Sequence, residues 1–184
     1  LELRDAVKDG VLAWNKAFEA AGFINAVEVK VQPDDADWDA GDIRYNVLRW
    51  ASSPSPPFSG YGPSFVNPRT GQILGADIML EYSSFTYRVK TEKIFETFSD
   101  EEFLEDEHSC QFSQVMQENN LFAMIASRTI GDFSSLEQHR IIYEALVDLS
   151  LHEVGHTLGL SHNFYASHLH SLNNIHDRHI TEPI

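Results

Sequence analysis

The spacing of apolar residues along the chain predicts both helices and strands. Near the N-terminus, apolar residues recur every three or four positions, which is the spacing of one helix face. Gly22 follows the last of them and is a natural C-terminal stop. The apolar positions are Leu3, Val7, Val11, Trp14, Phe18 and Ala21. We therefore predict an amphipathic helix over residues 1–22.

The next two segments alternate between apolar and polar residues, as half-buried strands do. Val27–Val31 alternates strictly and is followed by Pro33, which predicts a short strand. Residues 42–50 place Ile43, Tyr45 and Val47 on one side, and this pattern predicts a second strand.

A hairpin and an insertion follow. The turn Asn67–Gly71 separates two apolar runs, 64–66 and 72–80, and this arrangement predicts a β-hairpin. Residues 81–131 form an insertion before the next recognisable helix. Residues 100–107 within it are strongly acidic, and we interpret them as a solvated helix start.

A long helix is predicted from the capping-box sequence Ser134–Glu137 onward. Apolar residues continue on one face of this helix as far as two histidines, His152 and His156. They are Ile142, Ala145, Leu146 and Leu149. Packing of this face would fix the helix, and the helix would then fix both histidines.

The most specific pattern is H-E-x-x-H-x-x-G-x-x-H, which starts at His152. His152 and His156 lie one helical turn apart, so both imidazoles can reach one zinc ion. Glu153 is displaced around the helix and can hold a metal-bound water instead of ligating. Gly159 permits a left-handed turn, after which His162 supplies a third nitrogen. Three ligands leave one position open, as in catalytic zinc sites.

Composition narrows the classes of partner. The 184 residues suit one domain with a genuine core, and their net charge of −15 argues against nucleic acid and anionic membranes. Cys110 is the single cysteine, so no disulfide can form within the chain. No apolar run reaches the ~18 residues that a membrane helix requires. The sequence leaves the oligomeric state open.

The zinc motif resembles that of the metzincin clan of zinc peptidases. Four other stretches, together with the motif, resemble a family of large bacterial zinc-dependent metalloproteases. These stretches are Trp14–Phe23, Asp42–Trp50, Asn67–Gly71 and Gly75–Ile78. The resemblance implies that His152, His156 and His162 bind Zn²⁺ and that Glu153 is the general base.

The resemblance also implies a fold and an activity. The expected fold is α+β and zincin-like: a mixed twisted sheet with an antiparallel edge strand, packed on the N-terminal helix and the metal-binding helix. The expected activity is that of a zinc-dependent metalloendopeptidase, with a zinc-bound water activated by Glu153. The partner that this activity implies is a peptide or protein substrate. Two alternatives stay open: a zinc hydrolase of restricted substrate, such as an aminopeptidase or amidase, and a zinc-stabilised binding module without catalysis.

The chain departs from the clan pattern in two places. Asn163 follows the third histidine, where matrixins have serine, astacins glutamate and reprolysins aspartate. The clan also has a methionine turn downstream of that histidine, whereas all three methionines here lie upstream of His152. We therefore expect residues 1–184 to be a fragment of one catalytic domain, with an N-terminal subdomain to about residue 159 and a truncated C-terminal part, 160–184.

Two further expectations follow from the resemblance. Metzincins bind extended peptides along a strand at the edge of the sheet, so we predict Ile73–Ala76 as the substrate-docking edge. We also expect a secreted or periplasmic location in a bacterium. The remaining histidines of the tail, His168, His170, His176 and His179, are interpreted as polar surface residues, with a second metal site as the alternative.

Overall fold

A computed structural model describes residues 3–52, 60–81, 135–163, 165, 168–175 and 177–181. The helices are α1 (Leu3–Leu12), α2 (Trp14–Ala20), α3 (Ser135–Thr157) and α4 (Arg178–Thr181), and the strands are β1 (Val47–Ala51), β2 (Gly60–Tyr61), β3 (Ser64–Val66) and β4 (Ile73–Glu81). Helices and a mixed sheet make the class α+β, as predicted. Among the described helices, none combines the length and apolar character needed to cross a membrane.

The N-terminal region forms two helices, whereas the periodicity predicted one. Ala13 lies in a turn between α1 and α2. Directly after it, the Trp14 indole N–H donates a hydrogen bond to the Leu151 carbonyl at 2.8 Å. The hydrogen bond to α3 thus lies at the point where α1 ends and α2 begins, an interruption that the spacing of apolar residues does not reveal. The predicted stop is confirmed: Gly22 has a φ of 92°, and the Phe23 N–H bonds back to the Phe18 carbonyl.

The strand predicted at Val27–Val31 is wrong. Its residues belong to no ladder within the described part of the chain. The Val27 N–H and carbonyl instead bond to the side-chain amide of Asn15, each at 2.9 Å. Val27 and Val29 are half-buried and their neighbours are exposed, so the alternation reflects burial on one side without strand pairing.

The second predicted strand is shorter than its sequence pattern. Residues 42–46 form a turn closed by a Tyr45 N–H to Asp42 carbonyl bond, and pairing begins only at Val47. The Arg44 side chain hydrogen-bonds to the Asp42 carboxylate and lowers the pKa of that group to about 2. The ion pair between Arg44 and Asp42 thus stabilises a turn at residues 42–46, where the sequence pattern predicted the start of the strand.

The predicted hairpin is confirmed, and its second strand is central to the sheet. β3 and β4 pair antiparallel around a turn in which Gly71 has a φ of 73°. β4 also pairs with β1 in parallel and with β2 antiparallel, which gives the order β1-β4-β2. Ile73–Ala76 is therefore already paired with β3. In the described residues, β1 pairs with Asp77–Glu81 and not with Ile73–Ala76, and substrate docking along Ile73–Ala76 stays a prediction.

Helix α3 packs against both α1 and the sheet. A core forms from Ile78 and Leu80 of β4 with Leu149 and Val154 of α3, and partly buried residues of the N-terminal helices pack against the same core. Helix α1 approaches α3 so closely that a Cβ on Gly10 would lie 2.4 Å from the Val147 carbonyl oxygen. α3 is thus held by both α1 and β4.

Several sequence predictions fall outside the described residues. They concern the insertion after Glu81, its acidic segment and the Ser134 capping box. The proposed division near residue 159 likewise stays a prediction.

Candidate metal centre

Two histidines are brought together by the last turns of α3. His152 and His156 are four residues apart, and their Nε2 atoms lie 3.0 Å from each other. Their rings are nearly perpendicular, at 89°. The helical spacing therefore produces the convergence that the sequence predicted.

The third histidine arrives through the turn at the end of α3. Gly159 has a φ of 90°, a conformation that side chains rarely adopt. The Gly159 N–H bonds to the His156 carbonyl at 2.9 Å, and the Leu160 N–H bonds to the Gly155 carbonyl at 3.1 Å. This closure reverses the chain and places His162 Nε2 3.1 Å from His152 Nε2.

The three histidines fit a metal ion. One nitrogen from each, at His152, His156 and His162, lies within 4.8 Å of the others. With zinc–nitrogen distances of about 2.0–2.1 Å, a tetrahedral site separates its ligand nitrogens by about 3.3 Å. The two measured Nε2 separations, 3.0 and 3.1 Å, are close to that value. Three converging imidazole nitrogens are a donor set that zinc prefers.

The protonation state of His152 also suits metal binding. Burial, together with smaller effects of the nearby His156 and His162, lowers the pKa of this imidazole to about 4. Because a metal binds the neutral imidazole, these surroundings favour the form that can ligate.

A backbone carbonyl orients the second histidine. His156 Nδ1 lies 2.9 Å from the Leu160 carbonyl oxygen. Since a carbonyl can only accept, this contact places the proton on Nδ1 and leaves the Nε2 lone pair for a metal. The sequence motif marks Gly159 for the chain reversal but does not reveal that the reversal also supplies this hydrogen-bond acceptor.

Glu153 follows His152 directly on α3 and is completely buried. Neither of its carboxylate oxygens has a hydrogen-bond donor within normal geometry among the described residues. Burial raises its pKa to about 7, against the smaller opposing effect of the Gly62 N–H. The buried carboxylate needs a partner in its charged form, which a metal-centred site can supply.

Two glycines that the sequence did not single out lie against Glu153. A Cβ on Gly60 would lie 2.5 Å from Glu153 Oε1, and a Cβ on Gly62 would lie 2.6 Å from the Glu153 carbonyl oxygen. The sequence signal for them was the spacing Gly60-Tyr61-Gly62. In extended backbone, residues two positions apart face the same way, so two glycines at this spacing can leave room for one neighbouring group.

Residues 134–183 match the model of a protein family described as Met-zincin. The metzincin resemblance is confirmed over this stretch. The matched Met-zincin segment contains all of α3, the Gly159 turn and the three histidines. Neither the curated proteins nor the solved structures gave a match. The Met-zincin match and the histidine cluster together indicate a zinc-type metal site of the metallopeptidase kind.

The other histidines form no second centre in the described part of the chain. His139, His168, His170 and His179 join no further group with metal-ligand spacing there. His108 and His176 lie outside the described residues.

Proposed function

We propose that this chain is a zinc-dependent endopeptidase in which His152, His156 and His162 hold the metal and Glu153 is the general base. One observation supports this proposal above the others. Three imidazole nitrogens converge beside a buried carboxylate that the same helix supplies at the neighbouring position. A site that only stabilises a fold has no need of that carboxylate.

Each residue has a distinct part in the proposed reaction. Zinc, when bound, supplies Lewis acidity that polarises a peptide carbonyl and makes water more acidic. Glu153 accepts a proton from the attacking water and delivers it to the departing amine nitrogen. The Leu160 carbonyl keeps the proton of His156 on Nδ1, so that Nε2 stays available as a ligand.

The complete burial of Glu153 favours one competing function, a zinc-stabilised binding module. In such a module the histidines would tie the end of α3 to the following segment, and Glu153 would take no part in chemistry. The two functions differ in what a change at Glu153 does to turnover.

The decisive variant is Glu153→Gln, which keeps the size of the side chain but removes its basicity. We expect zinc content to stay near one ion per chain and hydrolysis of internally quenched peptides to fall ~10²–10⁴-fold. His156→Ala is the matched control, because it removes a ligand and should lose the zinc itself. Metal analysis and cleavage-site mapping provide both measurements.

The outcomes separate the candidate functions. Cleavage at internal bonds by the wild type only would support the endopeptidase. Release of N-terminal residues alone would indicate an aminopeptidase. Equal turnover by wild type and Glu153→Gln would contradict the assigned base, and zinc binding without hydrolysis of any peptide would favour the binding module.

A further inference from the structure

The strand that begins at Gly60 covers the carboxylate of Glu153. β2 pairs with β4 through Gly60↔Leu80 and Tyr61↔Met79, so its position is fixed by the centre of the sheet. Gly62 directly follows this strand, two positions after Gly60. A Cβ at either glycine would meet Glu153, so both positions are turned toward it.

The two glycines differ in the part of Glu153 that they contact most closely. A Cβ at Gly60 would lie 2.5 Å from Oε1 and 3.0 Å from both Cδ and Cγ, which belong to a side chain that can move. A Cβ at Gly62 would lie 2.6 Å from the carbonyl oxygen of the helix backbone, and at the longer distance of 3.1 Å it would also meet Oε2. Gly62 thus mainly limits how closely the strand approaches α3, whereas Gly60 mainly limits where the carboxylate can lie.

Glycine is required at Gly60 and Gly62 because a side chain would collide with Glu153, and not because the backbone adopts a conformation that only glycine favours. Neither residue has a backbone angle in the left-handed region, unlike Gly22, Gly71 and Gly159. A side chain at Gly60 would therefore be tolerated by the strand itself. In the described part of the chain, the three nearest atoms that it would meet all belong to the Glu153 side chain.

We propose that Gly60 is a positioning residue for Glu153, and that the absence of its side chain allows the carboxylate to keep its buried orientation beside the histidines. Gly62 sets the separation between strand and helix that makes this space available. The catalytic consequence rests on the proposed function, but the contact itself does not. A displacement of about 1 Å at a reacting group can lower a rate ~10²-fold.

The contact is tested by thermal unfolding of the metal-free protein, which needs no activity. Gly60→Ala is compared in two backgrounds, the wild type and Glu153→Ala. We expect Gly60→Ala to lower Tm by about 3 °C or more when the glutamate is present. In the Glu153→Ala background, where the obstructing side chain is gone, it should leave Tm unchanged or raise it. Equal effects in the two backgrounds, or no effect in either, would overturn the proposal.

Gly75→Ala is the matched control for a glycine-to-alanine change in the same sheet. Its Cβ would meet its nearest atoms at 3.5–3.8 Å, which are ordinary contacts, and none of them belongs to Glu153. We expect its effect on Tm to be the same with and without the Glu153 side chain. If the effect of Gly75→Ala on Tm changed when the Glu153 side chain was removed, the coupling would not be specific to Gly60. That result would also overturn the proposal.

Kinetics test the positioning role separately. With zinc bound, Gly60→Ala should retain one ion per chain and an unchanged KM, while kcat falls ~10–100-fold. A purely structural effect would lower zinc content or raise KM as well. Unchanged kcat in a variant that shows the Tm coupling would overturn the positioning role. If the wild type cleaves no peptide, the proposed function fails while the unfolding result still decides the contact.

Discussion

At the scale of single residues, the candidate centre depends on groups that are not metal ligands. Gly159 closes the helix and reverses the chain, and the Leu160 carbonyl that follows accepts a hydrogen bond from His156. Gly60 and Gly62 leave room for Glu153. The three histidines and Glu153 are therefore positioned by backbone atoms and by missing side chains, as much as by their own packing.

The role of Gly159 can be separated from the ordinary effect of a helix cap. We expect Gly159→Ala to lower the free energy of unfolding by about 1–2 kcal/mol, because an L-residue is strained at its φ of 90°. It should also weaken zinc binding, since relaxation of the turn moves both the Leu160 carbonyl and His162. Competition with a zinc chelator measures the affinity, and chemical unfolding measures the stability.

Gly22 provides the control for this prediction. It ends α2 with a φ of 92° and no atom within 4 Å of its would-be Cβ, and it belongs to a different helix. Gly22→Ala should therefore reduce stability similarly while leaving zinc affinity unchanged. Equal zinc affinities in the two variants would contradict the role assigned to the Gly159 turn.

At the scale of elements, α3 is held closely by the two N-terminal helices. Gly10 allows α1 to approach the Val147 carbonyl, and Trp14 lies against Gly155, whose own Cβ would be 3.0 Å from the indole. Gly155 lies inside the H-E-x-x-H sequence, where glycine is unfavourable for a helix by about 1 kcal/mol. The close approach of Trp14 explains why a side chain would be excluded there.

A larger residue at Gly10 should disturb this packing. A Cβ would lie 2.4 Å from a backbone oxygen and 2.7 Å from the Ser150 Cβ, so that one helix must move. We expect Gly10→Ala to destabilise the protein by about 1–3 kcal/mol in denaturant unfolding. Lys8→Ala on the exposed side of the same helix is the control and should change stability by less than about 0.5 kcal/mol. Similar losses in the two variants would contradict the close contact.

The elements also show what the sequence could and could not predict. The end of α3, the Gly159 turn and the β3–β4 hairpin depend on local chemistry, and these were correct. Val27–Val31 was wrong because alternation reports which residues are buried and not whether a neighbouring strand exists. The break at Ala13 and the contact of Gly60 with Glu153 depend on residues far apart in the chain. Periodicity contains no information about such pairs.

The same distinction applies to the sheet. The sequence indicated which residues form the hairpin, but the order β1-β4-β2 places its second strand at the centre. Strand order is set by long-range pairing, which the local pattern of apolar residues does not contain. The histidine motif, in contrast, is short enough for helix geometry and one turn to determine it almost completely.

At the scale of the whole molecule, a metal ion would connect a well-packed helix to a weakly packed segment. His152 and His156 belong to α3, which packs against α1 and β4. His162, in contrast, belongs to an exposed stretch after Gly159. Leu160, in the same stretch, is 54% exposed. Among the described residues, few buried contacts hold this stretch apart from those that a metal would add.

Zinc removal should therefore act unevenly along the chain. We expect chelation to increase amide hydrogen exchange at residues 160–163 while residues 145–154 of α3 stay protected. The Tm should also fall, because a ligand that binds only the folded state stabilises it. His162→Ala, which already lacks the third ligand, should respond much less to the chelator. Uniform loss of protection through α3 would contradict an independently packed helix.

The bond from Trp14 to Leu151 joins residues 137 positions apart. The Tyr143 hydroxyl, likewise, donates to Asp9 across 134 positions. Closing so long a loop has an entropic cost that must be met before the contact stabilises anything, and chains rich in such contacts fold slowly. The helix that carries two of the histidines becomes fully supported only when α1, near the start of the sequence, has docked on it. During refolding, metal capture by all three histidines should consequently be a late event, and its rate would report on the meeting of the two distant segments.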